Sequence, residues 1–173
     1  MRYWFQVKRN IGGTMERTEI LEYKSEITGT YLRVADEIAK DLEIANENIT
    51  GSKFENMVFE NVIFRDCSFQ STDFLSTKFI DCKFINCDFG FVKFNSCNLI
   101  ACKFESCDFC ITNSLNCNFL SCTYIKNSWE ASKIVGNFHN CFLEENDEDV
   151  MDIISSSSHL IETLSSNNQS NVA

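Results

Sequence analysis

A bulky apolar residue recurs every five positions along the middle of this chain. Phe stands at 54, 59, 64, 69, 74, 79, 84, 89 and 94, and Leu99, Phe104 and Phe109 continue the series. Ser114 interrupts it, and Phe119, Tyr124, Trp129 and Ile134 resume it. With Ile49 the series has 18 positions, 17 of them apolar. An α-helix repeats every 3.6 residues and a strand every 2, so a period of five is neither an amphipathic helix nor an ordinary sheet. A fixed period held this long marks a repeat architecture, in which each unit buries its apolar face only against its neighbours.

The positions around each centre are patterned too. Two residues before it the side chain is small or moderately apolar, as in Met57, Val62, Cys67, Thr72, Thr77, Cys82 and Cys87. The residue between is mostly polar, as in Lys53, Ser68, Asp73 and Lys78. Two residues after it come Asn56, Asn61, Asp66, Ser71 and Ser76, which are turn formers. Each unit therefore offers two inward residues flanking one outward residue, followed by a turn.

Units such as Cys67-Ser68-Phe69, Thr72-Asp73-Phe74, Cys87-Asp88-Phe89 and Cys107-Asp108-Phe109 resemble the pentapeptide-repeat family. Its consensus is a small residue, Asp or Asn, Leu or Phe, then two variable residues. The resemblance runs from Ile49 to Gly136. It implies an all-β solenoid, a right-handed quadrilateral β-helix with four repeats per coil, so that residues 20 apart stack. Cys stands where the family usually has Ala, which makes the interior bulkier. At a coil spacing of about 4.8 Å, the repeats would build a rod roughly 20 Å tall. Each buried Phe is worth about 1.5–3 kcal/mol before entropy.

A solenoid needs covered ends, and the flanks are read as caps. Residues 1–48 form an N-terminal capping segment, with a strand over 2–9 and a helix over 30–45 that places Leu32, Ala35, Ile38 and Leu42 at helical spacing. Residues 49–143 form the β-helix. Its frame slips by one after Ile134, because Phe138 replaces an expected 139, and Cys141 with Leu143 makes one last repeat. Residues 144–173 are an acidic amphipathic helix, carrying Val150, Ile153, Ile154, Leu160, Ile161 and Leu164, and a disordered tail.

The formal charge is -10. Residues 49–136 are nearly neutral, with eight Lys/Arg and nine Asp/Glu, whereas residues 137–173 hold seven acids and no Lys or Arg. Generic binding to a phosphate backbone needs clustered Lys and Arg, so direct nucleic-acid binding is not expected. No apolar run approaches a membrane span or a signal peptide, and the expectation is a cytoplasmic protein with no membrane partner.

Little in the chain points to catalysis. Eight of ten cysteines sit two before a centre and are expected to pack as reduced, small apolar side chains. With a 20-residue coil they form columns of Cys67, Cys87 and Cys107, of Cys82, Cys102 and Cys122, and of Cys97 and Cys117. In Cys107-Asp108-Phe109-Cys110 the first thiol points inward and the last outward, so the pair cannot converge, and Cys110 is the one exposed thiol. His139 and His159 have no ligand pattern beside them, and no carboxylate pair, glycine loop or nucleophile–base pair stands out. The reading is a non-enzyme with no cofactor and no metal.

The informative residues point outward. Ile80, Ile100 and Leu120 stack on one face, Leu75, Asn95, Leu115 and Val135 on another, and Phe91 lies one coil below Ile111 at a corner. Exposed apolar columns on a solenoid mark contact surfaces. The partner-binding residues are therefore Ile80, Ile100, Leu120, Phe91 and Ile111, with the acidic run Glu144, Glu145, Asp147, Glu148 and Asp149. The expected function is a rigid protein-binding rod, in its specific form a bacterial immunity protein that neutralises a basic toxin domain. The family resemblance implies an alternative, a DNA mimic that binds a type II topoisomerase such as DNA gyrase. It also implies a homodimer through the C-terminal helix.

Overall fold

The computed structural model describes residues 8–9, 21–25, 29–146 and 161–163. Its described part is a parallel β-solenoid of about six turns. Strands stack 20 residues apart, as the register Lys53↔Asp73, Lys93↔Asp73 and Lys93↔Asn113 shows for one side of the rod. Val58, Lys78, Asn98 and Asn118 stack on the second side, and Ile63, Lys83, Lys103 and Thr123 on the third. The fourth side has single bridges instead of strands, through Asn48, Ser68, Asp88, Asp108 and Ser128. These four sides are called here the first to the fourth, in chain order.

Each coil is closed by the five-residue unit. The centre and the residue two before it are buried, and the residues on either side of the centre face out. The centres form aromatic ladders. Phe64, Phe84, Phe104 and Tyr124 stack with ring centroids 5.0, 4.7 and 5.0 Å apart. Phe69, Phe89, Phe109 and Trp129 stack at 5.0, 4.9 and 4.3 Å. Neighbouring ladders meet edge to face, as Phe79 and Phe84 do at 5.6 Å, so the interior is packed aromatic surface. At the corners the residue two after the centre has a left-handed backbone, for example Asn56 at φ 53°, Asp81 at 52° and Asn86 at 52°. Asn and Asp tolerate that region because their short polar groups bond locally. Some also ladder between coils, Asn86 donating to Asp66 at 2.6 Å and Asn61 to Asp41 at 2.8 Å.

The flanks differ from expectation. Residues 30–45 are not a helix. Gly29–Ala35, Ile38–Lys40 and Leu42–Ala45 are strands that stack beneath the coil above, with Val34 under Phe54, Ala39 under Phe59 and Ile44 under Phe64. Leu32, Ala35, Ile38 and Leu42 do sit at helical spacing, but Val34, Ala39, Ile44 and Ile49 sit at five, and the template surface above them selects the second pattern. Antiparallel strands close the start: Leu21–Ser25 on Gly29–Ala35, and Lys8–Arg9 on Leu42–Ala45. At the other end Ile161–Thr163 is a strand, paired with Cys141–Glu144, where a helix was expected. The rest of that expected helix, including Val150, Ile153, Ile154, Leu160 and Leu164, lies outside the described residues, as do residues 2–7 of the strand expected over 2–9.

The frame slip is real and has a local cause. Ser114 pairs with Ile134, but Cys117 pairs with Gly136, so two residues of one coil oppose a single residue, Val135. The strand Lys133–His139 has no residue with the positive φ that Asn116 adopts, at 55°, at this corner of the coil below. Ser114 is buried, and its hydroxyl accepts from Val135 N–H at 2.8 Å and donates to Val135 C=O at 3.0 Å. The polar break in the aromatic series thus pairs the backbone that the missing corner leaves over. A cavity of about 10 Å³ lies among the upper rings, with Phe94, Leu99, Phe119, Tyr124 and Ile134 in its lining.

Candidate protein-docking site

The outward residues singled out from the sequence fall on different parts of the rod. Ile80, Ile100 and Leu120 do stack on the second side, with Ile80 and Ile100 half-buried and Leu120 39% exposed. Phe91 and Ile111 lie one above the other on the corner between the fourth and first sides. Glu144 and Glu145 are exposed at the end of the rod, where Glu145 pairs with Lys126 at 3.2 Å. Asp147, Glu148 and Asp149 lie outside the described residues.

The Phe91–Ile111 corner is the anomalous one. It is a tight turn, closed by Val92 N–H to Phe89 C=O at 3.0 Å and by Thr112 N–H to Phe109 C=O at 2.9 Å. Phe91 has φ 60° and Ile111 φ 54°. A turn with positive φ at its third residue favours Gly or Asn there, and the same column holds Gly51, Ser71 and Ala131 at the other levels. A left-handed backbone costs an ordinary L-residue roughly 1–2 kcal/mol, and a β-branched residue there is a true outlier. Phe91 is nevertheless 52% exposed and Ile111 39%. Two bulky apolar side chains thus combine backbone strain with contact to water.

Charge is segregated by side around this edge. Between its corners the fourth side presents Asp88, Asp108 and Glu130 outward and no Lys or Arg. Asp88 accepts from Gly90 N–H at 2.8 Å and from Gln70 Nε2 at 2.7 Å, and Asp108 accepts from Cys110 N–H at 2.8 Å. These bonds hold the carboxylates in place beside the edge. The other sides mix signs, with pairs Lys103–Glu105 at 2.8 Å, Arg65–Glu43 at 3.4 Å and Lys93–Asp73 at 3.9 Å. Cys110 is half-buried on the acidic side. Desolvation, then the carboxylates of Asp108, Glu130 and Asp88, push its thiol above the ordinary range, so it stays protonated and is not a reactive thiolate.

The buried cysteines have a role beyond filling space. Cys82 Sγ donates to Phe59 C=O at 3.3 Å and Cys102 Sγ to Phe79 C=O at 3.4 Å, in the coil below. Thr72 and Thr112 hydroxyls do the same to Ile49 and Phe89 at 2.9 and 2.6 Å. The position two before the centre therefore suits a small side chain with a donor. Cys141 joins Cys82, Cys102 and Cys122 as a column of four on the third side. All ten cysteines are free thiols. The neighbouring Cys107 thiol and burial push Cys87 up to about 12. Among the described residues no group of three or more His, Cys, Asp or Glu is placed to hold a metal.

One polar group escaped the sequence reading. In the inward column of the fourth side, Asn127 and then Asn146 follow Cys67, Cys87 and Cys107. Asn127 Oδ1 accepts from Cys107 N–H at 2.8 Å, and its amide donates to Phe104 C=O at 3.2 Å. Asn146 Oδ1 in turn accepts from Asn127 N–H at 3.0 Å and Trp129 Nε1 at 3.4 Å. The switch from Cys to Asn in that column was the available signal.

Residues 73–109 match the family profile described as pentapeptide repeats, in eight copies. Over that stretch the chain is built of pentapeptide repeats. Similar solved structures include the pentapeptide-repeat protein Rfr23 from the cyanobacterium Cyanothece 51142, at 8% identity and TM-score 0.43 over 68% of this chain and 88% of that one. QnrB1, a plasmid-mediated fluoroquinolone resistance protein, aligns at 18% identity and TM-score 0.28, over 64% of this chain and 73% of its own. A pentapeptide-repeat protein of the Arabidopsis thaliana thylakoid lumen aligns at 13% identity and TM-score 0.30, over 69% and 78%. No curated protein matches the chain.

Proposed function

We propose that this protein is a non-catalytic protein-binding rod whose docking edge is the Phe91–Ile111 corner. The observation that carries the reading is the exposure of two strained, bulky apolar residues at a turn that favours Gly or Asn. A rigid solenoid loses little entropy when it binds, so a short edge and an adjoining side can serve as a specific site. The partner that suits the acidic fourth side is basic. The specific form is an immunity protein that neutralises a basic bacterial toxin domain, with Asp88, Asp108 and Glu130 beside the apolar anchor. Ten free thiols suit a cytoplasmic location, where cysteines remain reduced.

A second reading, a DNA mimic bound to a type II topoisomerase, is favoured by the first coil. That coil carries Asp36, Glu37, Asp41, Glu43 and Glu47 against Arg33 and Lys40, so residues 29–146 hold sixteen acids and ten bases. The outward lysines at 53, 83, 93, 103 and 133 speak against it, since a mimic needs acids along the rod.

The test is affinity capture from a bacterial lysate with the wild type and with the double variant Phe91→Asn, Ile111→Asn. Asn relieves the left-handed strain while removing some apolar burial, and the two effects offset to within about 1 kcal/mol. The expected result is a basic toxin domain held by the wild type and lost from the folded variant. A captured topoisomerase would move the assignment to the second reading. Identical captures on both columns would refute the docking edge.

A further inference from the structure

The acidic side and the Phe91–Ile111 corner do not account for all the exposed apolar surface. Seven large apolar side chains are exposed among the described residues, and four of them border the upper half of the first side. Phe91 and Ile111 line one edge. Leu115, 54% exposed, and Val135, 38% exposed, line the other. Leu115 and Val135 follow the centres Ser114 and Ile134 and face out as the corresponding residues of the other coils do, with Val135 above Leu115. Between the ridges stand Lys93 and Lys133, two coils apart, about 10 Å by the strand spacing. Lys133 has no ion pair among the described residues, and Lys93 has only a loose one to Asp73, at 3.9 Å between two well-exposed groups. The outward residues beside them, Asn95 and Asn113, are neutral.

We infer that the upper half of the first side is a second docking surface, and that its occupant is an acidic amphipathic segment of a partner protein. Its apolar face would lie on the two ridges, and its carboxylates would meet Lys93 and Lys133. Charge complementarity decides the class of partner. The fourth side, across the Phe91–Ile111 edge, is acidic and repels such a segment, so the edge separates two surfaces of opposite preference. An anionic lipid surface needs clusters of four or more basic residues; the upper half of this side offers two cations between apolar ridges, on a chain of net charge -10. The inference goes beyond the docking edge proposed above, and Leu115, Val135 and Lys133 test it independently of that edge.

The experiment uses the full chain and two fluorescein-labelled amphipathic peptides, one with leucine on one face and glutamate on the other, its twin with lysine for glutamate. Fluorescence anisotropy is read at low and physiological salt. The net negative charge of the protein favours the lysine peptide everywhere except on a locally complementary surface. The expected result is that the glutamate peptide binds about tenfold more tightly than its twin. Leu115→Asn with Val135→Thr should abolish that binding, and so should Lys133→Glu. Lys83→Glu, the same charge change on the third side, should leave it intact and controls for folding and for total charge. Preference for the lysine peptide, or equal binding by all variants, would overturn the inference. So would a wild-type dimer in sedimentation that Lys133→Glu dissociates, which would make a second copy the occupant. Retention on phosphatidylglycerol vesicles without peptide binding would overturn it in favour of lipid.

Discussion

Replacing Asn146 by Ala removes a side chain that pairs buried donors at the upper end of the fourth side. At the end of the fourth side its amide oxygen accepts from Asn127 N–H at 3.0 Å, Asn127 Nδ2 at 3.1 Å and Trp129 Nε1 at 3.4 Å. Its amide nitrogen donates to Tyr124 C=O at 2.9 Å and Glu144 C=O at 3.1 Å. Asn127 and Trp129 are 2% and 1% exposed, so water reaches their freed donors poorly. A typical hydrogen bond contributes about 0.5–1.5 kcal/mol net, and a donor left buried without a partner costs about 1–3 kcal/mol. Asn146 itself is only half-buried, so water replaces some of the five bonds, and a loss of about 2–4 kcal/mol is expected. For a chain of this size each kcal/mol lowers Tm by about 2–4 °C, so the melting temperature should fall by about 10 °C. Opening of the last coil would also wet Trp129, whose emission should shift to the red in a Trp4→Phe background. Asn146→Asp keeps the acceptor and loses the donor, and should fall between wild type and Ala. An Asn146→Ala protein with unchanged Tm and unchanged Trp129 emission would refute the idea that this amide closes the rod.

Other outcomes follow from the packing. Gly136→Ala should destabilise by more than about 2 kcal/mol in urea titration, because an added Cβ would lie 2.5 Å from Cys117 O and 2.9 Å from Phe119 Cε2. Ser114→Ala leaves Val135 N–H without its acceptor and should cost about 1–3 kcal/mol. The native protein should react with a thiol reagent near neutral pH slowly and only at Cys110, and an additional fast thiol would contradict the buried columns. The raised Cys87 value also has a stability consequence. Its folded form binds its proton up to about 12 against an ordinary 9.0, so this contribution is intact below pH 9 and is lost as pH rises toward 12. Chemical denaturation across that range should show the midpoint falling, and Cys87→Ala should flatten the fall.

Much of the fold was legible because the period of five is written in large side chains. A run of Phe at that spacing has no alternative burial, and the Cys and Thr two positions earlier mark the second inward column. The first coil was not legible. Val34, Ala39 and Ile44 are smaller than Phe, the positions two before include Glu37 and Glu47, and the same stretch also carries an i, i+3, i+7 apolar pattern. Local propensity could not separate the two readings. The stacked edge of the Phe54–Phe69 coil does, by offering backbone partners to a strand and none to a helix. Of the docking residues, the apolar character and outward placement of Phe91 and Ile111 were plain from the sequence, but their positive φ was not. The column of Leu115 with Val135 was legible for the same reason, since each follows a repeat centre and so points outward.

The residue pattern alone specifies a rod of five-residue units, its inward columns and its polar corners, because burial of a repeated side chain admits one periodicity. It also carries the total charge. Which charges share a side, which apolar residues meet water, and how the ends close were decided by the tertiary structure. Those properties depend on residues about 20 positions apart being brought within one strand spacing of each other. They also depend on the exact point at which the winding loses a corner, which a single hydroxyl at Ser114 accommodates.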